Sequence, residues 1–264
     1  MMQTPSQLRR AVIACDVFQH DAALILEAGG LQPFWLEMGL HDQPGILRDR
    51  IQELIQRLDA DGLCQEILLL YGACGNGLVG VRSGKIPLVI PQAHDCLSIL
   101  LGGMAKHERI LRENPGLYFY SPGWVHGHRV PGPDREAHVR REYQKKYPDD
   151  EELVQDLVEA DAETFLHHDI AGYVELHPCK EAESYCQRCA AHLGWKFLKL
   201  EGDPTLLKDF LHGVRDPERF LVVPPHHQIL RTSHGQFQAA AIAKNDNFFA
   251  LDEKTPADGE ATIL

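Results

Sequence analysis

Two thiols and an imidazole follow two apolar runs of this sequence. Cys74 lies in YGACGNGLVG (71–80) after one run, and His94 and Cys96 follow the next run, PLVIP (87–91). Thiolate and imidazole together suit zinc, iron or an iron–sulfur cluster. If the runs are adjacent parallel strands about 4.8 Å apart, their ends bring these side chains into one coordination sphere. The sequence therefore predicts a metal site at Cys74, His94 and Cys96, with zinc as the first expectation.

Further ligands and a metal-free reading stay open at this point. Cys15, His41 or Cys179 would complete the set, or the fourth position stays open for water or substrate. Without a metal, Cys74 would be a nucleophile activated by His94. A purely structural reading makes Cys74 a small residue in a tight turn and His94 a helix cap.

Three other residues are candidates for catalysis. Asp95 would orient a neighbouring ligand, as carboxylates beside metal-bound histidines do. His41 would be an acid or base if it is not the fourth ligand. His227 follows VVPP (222–225), and it is a candidate general base because histidine is the side chain that most often has this role.

The turn at Gly75, Asn76 and Gly77 and the aromatic Trp124 are candidates for cofactor binding. Glycines after a strand let backbone N–H groups approach an anion, although this turn is neither GxGxxG nor a P-loop. Trp124 would stack on a flat ligand or fill the core. The CxxC at 186–189 falls inside a helical pattern, so packing is expected there, and the histidine at 107 is expected in solvent.

The composition of the chain argues against a nucleic-acid-binding, membrane or secreted protein. The chain has 264 residues and a net charge of −12, which opposes binding to nucleic acid or to anionic membranes. No run reaches the length of a membrane span and no secretory signal is recognised. Its seven cysteines are odd in number and scattered, which predicts reduced thiols in a cytoplasmic protein.

Eight apolar runs alternate with helical patterns. They cover residues 11–14, 34–38, 67–71, 88–91, 117–120, 171–176, 196–200 and 220–223. Continuous apolar strands between helices predict a mostly parallel, three-layer α/β fold. Cysteine, histidine and aspartate concentrate directly after these runs, at the sheet edge where open α/β proteins bind ligands.

The predicted layout is two Rossmann-like halves with a cleft between them. Residues 1–125 form the half with the Cys/His site, and the charged segment 126–168 is a helical connector. Residues 169–232 form the second half, and 233–264 are a C-terminal arm.

Five segments carry a resemblance to a known family. They are LHDQP, YGACGNGLVG, PLVIPQAHDCLSILLGG, GLYFYSPGW and RFLVVPP. Together they resemble the bacterial and archaeal family called domain of unknown function 1638. The residues that match its pattern are His41, Cys74, Gly75, His94, Asp95 and Cys96. The resemblance implies this fold and site, and it implies an association with corrinoid-dependent methyl transfer.

These observations predict a metal-dependent enzyme of unknown small-molecule substrate, with thiol activation or methyl transfer as its chemistry. The alternatives are the metal-free Cys–His enzyme and a non-enzymatic protein that binds a corrinoid or a metal. A homodimer or a methyl-transfer partner protein is the expected assembly.

Overall fold

The computed structural model describes residues 9–31, 33–128, 130–233 and 235–242. Cys74 is described by its backbone alone, so its side chain lies outside the described part. Most of the predicted C-terminal arm also lies outside it. In the described ranges, no helix combines the length and apolar character that crossing a membrane requires.

All eight predicted strands form, each within two residues of its predicted bounds. They are β1 (Arg10–Cys15), β2 (Pro33–Leu36), β3 (Glu66–Leu70), β4 (Leu88–Pro91), β5 (Leu117–Tyr120), β6 (Ile170–Glu175), β7 (Lys196–Glu201) and β8 (Phe220–Val223). The inner strands β1, β3 and β4 are almost wholly buried, which explains their continuous apolar runs.

The strands form two sheets. The first has the order β2-β1-β3-β4-β8, in which only β8 is antiparallel to its neighbour. The second is the parallel sheet β5-β6-β7. Helices cover both sides of the central sheet, so the predicted mostly parallel α/β class is confirmed.

The two sheets do not coincide with the two predicted halves of the sequence. β5 falls before residue 125 but pairs with β6, and β8 falls after residue 169 but pairs with β4. Strand partners come from long-range packing, which an apolar run does not encode. The domain limits and the Rossmann-like halves therefore stay predictions.

Nine α-helices occur in the described ranges. They are α1 (Gln19–Ala28), α2 (Pro44–Asp61), α3 (Cys96–Leu100), α4 (Met104–Glu113), α5 (Pro122–His126), α6 (Arg135–Lys146), α7 (Glu151–Glu163), α8 (Lys180–Leu193) and α9 (Thr205–His212). The charged segment 126–168 does contain two helices, α6 and α7, whose shared core is Val139, Val154 and Val158.

A hairpin of β9 (His227–Arg231) and β10 (Phe237–Ala241) was not predicted. Both strands are largely half-exposed, so their sequence lacks a long apolar run. The side-chain amide of Gln92 fixes the hairpin after β4. Its Nε2 donates to the carbonyl of Phe237 at 3.0 Å, and its Oε1 accepts from the N–H of Phe237 at 3.2 Å.

Candidate functional site

A cavity of 250 Å³ lies at the carboxyl ends of β1, β3 and β4; we call it the site cavity. Six of the predicted site residues line it: Cys15, His41, His94, Asp95, Cys96 and Trp124. Glu37 and Tyr71 also line it and were not predicted. The parallel strands thus bring together residues that lie far apart in the sequence, as the edge rule for open sheets predicts.

Asp95 connects the backbone of the site to two imidazoles. Its Oδ1 accepts from the N–H of Ser98 at 2.7 Å and so caps α3. Its Oδ2 lies 3.1 Å from Nδ1 of His94 and 3.4 Å from Nε2 of His107. The capping bond restrains the carboxylate, which in turn orients both rings.

His107 belongs to the site and was wrongly assigned to solvent. It is buried, and its ring stacks on Phe119 with the centroids 5.2 Å apart and on His94 at 6.1 Å. Its face of α4 also carries Met104 and Ile110. That spacing of three residues is the signal that could have placed His107 on the buried face.

His94 has one ring nitrogen free for chemistry. Its side chain is 60% exposed, and the carboxylate of Asp95 occupies Nδ1. Nε2 makes no hydrogen bond to any residue in the described ranges. A carboxylate on Nδ1 fixes the tautomer and makes Nε2 a better ligand or proton acceptor.

Two thiols lie in the cavity wall. Cys15 ends β1 and Cys96 begins α3, and both are buried. Cys74 is the third predicted thiol, and its side chain lies outside the described part. Among the side chains that are described, no three His, Cys, Asp or Glu residues gather closely enough to hold an ion. The metal site of Cys74, His94, Cys96 and Cys15 therefore stays a prediction.

His41 and Trp124 form the opposite side of the cavity. Nδ1 of His41 lies 2.5 Å from the carbonyl of Met38, and Nε2 lies 2.9 Å from the carboxylate of Asp42. Both nitrogens thus face oxygen acceptors, which suits a proton donor better than a metal ligand. Trp124 meets His41 edge-on at 5.8 Å. Its buried Nε1 has no hydrogen-bond partner in the described ranges.

The glycines of the turn after β3 have a packing role. A Cβ at Gly75 would lie 2.5 Å from the carbonyl oxygen of His41, and a Cβ at Gly77 would lie 2.4 Å from the side chain of Leu47. Gly75 and Asn76 both have positive φ, which the tight turn requires. Cofactor binding by Gly75, Asn76 and Gly77 stays a prediction, since these contacts already account for the residue types.

A larger cavity of 620 Å³ adjoins the first, and His94 lines both; we call it the hairpin cavity. Gln92, Met104, Glu108, Arg231 and Phe237 contribute to its wall. His227 lines neither cavity, and its Nδ1 lies 2.9 Å from the carbonyl of Pro225. The predicted role of His227 as a base therefore gains no support from its position.

A buried carboxyl group lies in α1, outside the lining of the site cavity. Asp21 of α1 is fully buried, and its Oδ1 accepts from the N–H of Leu176 at 2.7 Å. Its Oδ2 has no hydrogen-bond partner in the described ranges. Burial raises the pKa of Asp21, against the opposing effects of the backbone N–H groups of Leu176 and His177 and of the side chains of His20 and His177. The ionised form is thus costly in the folded protein.

Replacing Asp21 by asparagine should raise the free energy of unfolding at neutral pH by roughly 1–2 kcal/mol, because a neutral amide replaces a poorly solvated carboxylate. The pKa of Asp21 in the folded protein lies above the ordinary value of 3.8. The wild-type protein therefore loses stability as the pH rises from 3.8 through the higher pKa of the folded state. Over the same pH range, the difference in unfolding free energy between Asp21→Asn and the wild type should increase. Urea unfolding at neutral pH and at about pH 4 measures both effects.

Asp149→Asn is the matched control, because Asp149 is exposed between α6 and α7. Its stability should follow that of the wild type at both pH values. An Asp21→Asn protein that is no more stable than the wild type at neutral pH would contradict the assignment of a costly buried charge.

Comparison with known proteins identifies the family. A family model described as "Protein of unknown function (DUF1638)" matches residues 35–211. This span is more than half of the 264 residues, so the chain belongs to that family. The match contains His41, Cys74 and the segment 94–96, and it ends before the hairpin. No curated protein and no solved structure matches the chain.

Proposed function

We propose that this DUF1638 protein is a metal-dependent enzyme that acts on a small molecule in the site cavity. The observation that carries the proposal is the pair His94–Asp95 at the wall that Cys15 and Cys96 also line. A carboxylate that holds Nδ1 and leaves Nε2 free is the usual arrangement of a metal-bound histidine. Thiols beside such an imidazole favour zinc, with iron or an iron–sulfur cluster as alternatives.

The donor types fit the metal, and each group has a role in this scheme. Cys96 and His94, with Cys74 and Cys15, would hold the ion, and Asp95 would keep the ring of His94 in its binding tautomer. When bound, zinc would supply Lewis acidity and a thiolate or hydroxide at neutral pH. His41 would donate a proton to the substrate after one of its nitrogens leaves its present acceptor, Met38 or Asp42.

Part of the wall of the site cavity is apolar. Val17, Met38, Leu47 and Leu97 line it beside the polar groups. Such a wall excludes water and strengthens the interactions of the charged groups with a substrate. Activation of a substrate thiol suits these soft donors in a cytoplasmic protein. The thiol would lose its proton, and the resulting thiolate would accept a methyl group from a methylcorrinoid, which would leave as the demethylated corrinoid. The protein would act as a homodimer or in a complex with a methyl-transfer partner protein.

A second candidate is a metal-free enzyme with a thiol nucleophile. It is favoured by the contact of Asp95 with Nδ1 of His94, which leaves Nε2 of that ring able to accept a proton. Cys74, or Cys96, would then attack the substrate after His94 takes its proton through Nε2. A protein that only binds a corrinoid or a metal is a third candidate.

Elemental analysis of the full-length protein, purified without a histidine tag, separates these candidates. The proposal expects about one equivalent of zinc or iron, and a substantial loss of metal in Cys96→Ser and Cys74→Ser, because a thiolate ligand disappears. Cys64→Ser is the control, since Cys64 lies outside the site cavity, and burial and Asp59 raise its pKa. It should keep the metal of the wild type.

The other outcomes select among the alternatives. A metal-free protein in which iodoacetamide rapidly alkylates Cys74 or Cys96 would replace the metal proposal with the nucleophile. A tightly held chromophore without turnover would indicate a binding protein. Metal retained in both site variants would end the assignment of these ligands.

A further inference from the structure

Arg231 at the end of β9 contributes a guanidinium to the wall of the hairpin cavity. Its Nη1 donates to Oδ1 of Asn76, and its Nε donates to the carbonyl of Gly235 at 3.2 Å. Both acceptors are uncharged. No carboxylate in the described ranges lies within ion-pair distance of Arg231.

This pairing distinguishes Arg231 from four other half-buried arginines of the described ranges, which are paired with carboxylates. Arg10 and Arg215 share the carboxylate of Glu66, Arg135 is paired with Asp161, and Arg219 is paired with Asp209. In a chain with a net charge of −12, a positive group that is held by neutral acceptors keeps its charge available. Arginine is the side chain that best matches carboxylate and phosphate groups, because its donors form a planar fork.

The position of Arg231 is fixed relative to the proposed reaction centre. Arg231 is bonded to Asn76, which belongs to the turn after β3. Gln92, which lies two residues before His94, forms two hydrogen bonds with the backbone of Phe237 in the hairpin. Arg231 and His94 line the same cavity, and His94 also lines the site cavity. A molecule that fills both spaces would therefore contact the guanidinium at one end and His94 further in.

We infer that the hairpin cavity is an anion subsite, in which Arg231 binds the carboxylate or phosphate group of a small organic anion. The inference rests on the proposed function in taking that anion as the substrate. The cavity volume of 620 Å³ lies in the usual range for small-molecule sites, about 300–1,000 Å³. Glu108 is the carboxylate of the same wall and is exposed, so the anion binds on the side of Arg231.

Calorimetric titration of chelator-treated, full-length protein tests the subsite without a metal or turnover. The probes are inorganic phosphate and citrate at low ionic strength. Arg231→Gln should weaken binding of the preferred probe by about tenfold or more, because a charged hydrogen-bond donor is lost. Arg231→Lys should retain part of the affinity, since it keeps the charge without the fork. Arg50→Gln is the control, because Arg50 is exposed on α2.

A second measurement on the wild-type protein does not depend on the folding of the variants. Phosphate or citrate should slow the modification of Arg231 by phenylglyoxal, with the rate measured by mass spectrometry. The rate of modification of Arg50 should stay unchanged. Preference for phosphate or for citrate would assign the anionic group. Binding of neither probe, equal affinity in Arg231→Gln, or no protection of Arg231 would overturn the inference. Because no metal is present, these outcomes do not depend on whether the metal proposal holds.

Discussion

Gly72→Ala is expected to lower the free energy of unfolding by about 2–3 kcal/mol and to open the site cavity. A Cβ at position 72 would lie 2.5 Å from both the Cα and the carbonyl carbon of Asp95. These are backbone atoms, so no side-chain rotation relieves the overlap. The segments after β3 and β4 are also joined by the bond from the N–H of Ala73 to the carbonyl of Ala93 at 2.9 Å. Separating them would displace Asp95 and with it Cys96.

Urea unfolding and the rate of thiol modification at Cys96 measure the two parts of this prediction. Gly45→Ala is the matched control, because the nearest atom to its added Cβ would be 3.8 Å away and the residue lies in the first turn of α2. It should leave stability unchanged or raise it by up to about 1 kcal/mol, because alanine favours a helix more than glycine does. If Gly72→Ala unfolds like the wild type and Cys96 stays protected, the close contact does not organise the site.

The strand positions were predictable because buried parallel strands have a distinctive sequence. β3 and β4 are apolar on both faces, and each ends at a polar or glycine-rich segment. The partners of the strands were not predictable in the same way. Whether β5 pairs with β4 or with β6 depends on which surfaces the intervening helices cover, and the sequence of β5 is compatible with both.

The site was predictable to the extent that it follows from the sheet. Cys15 is the last residue of β1, His94 lies in the short segment between β4 and α3, and Cys96 is the first residue of α3, so the parallel arrangement alone brings them to one edge. His107 and Arg231 come from elements that reach the site by tertiary packing. The hairpin that carries Arg231 depends on contacts of Gln92 with a residue 145 positions away. No local pattern encodes a contact of that range.

Asp95→Asn is expected to weaken zinc binding by about 10–100-fold while leaving the fold intact. Asparagine caps a helix as well as aspartate does, so the bond from Ser98 to the side chain should persist. The neutral amide, however, no longer holds His94 and His107 with a negative charge. The loss should therefore appear in metal affinity, measured by competition with a zinc-sensitive dye, with stability within about 0.5 kcal/mol of the wild type.

Asp150→Asn separates the charge effect from the cap effect. Asp150 caps α7 in the same way, by accepting from the N–H of Leu153 at 3.0 Å, and it belongs to the charged segment outside both cavities. This variant should keep the zinc affinity and the stability of the wild type. Equal zinc affinity in Asp95→Asn and Asp150→Asn would mean that Asp95 acts only as a cap. In that case the contact between Asp95 and His94 would no longer be evidence that Nε2 of His94 is a metal ligand.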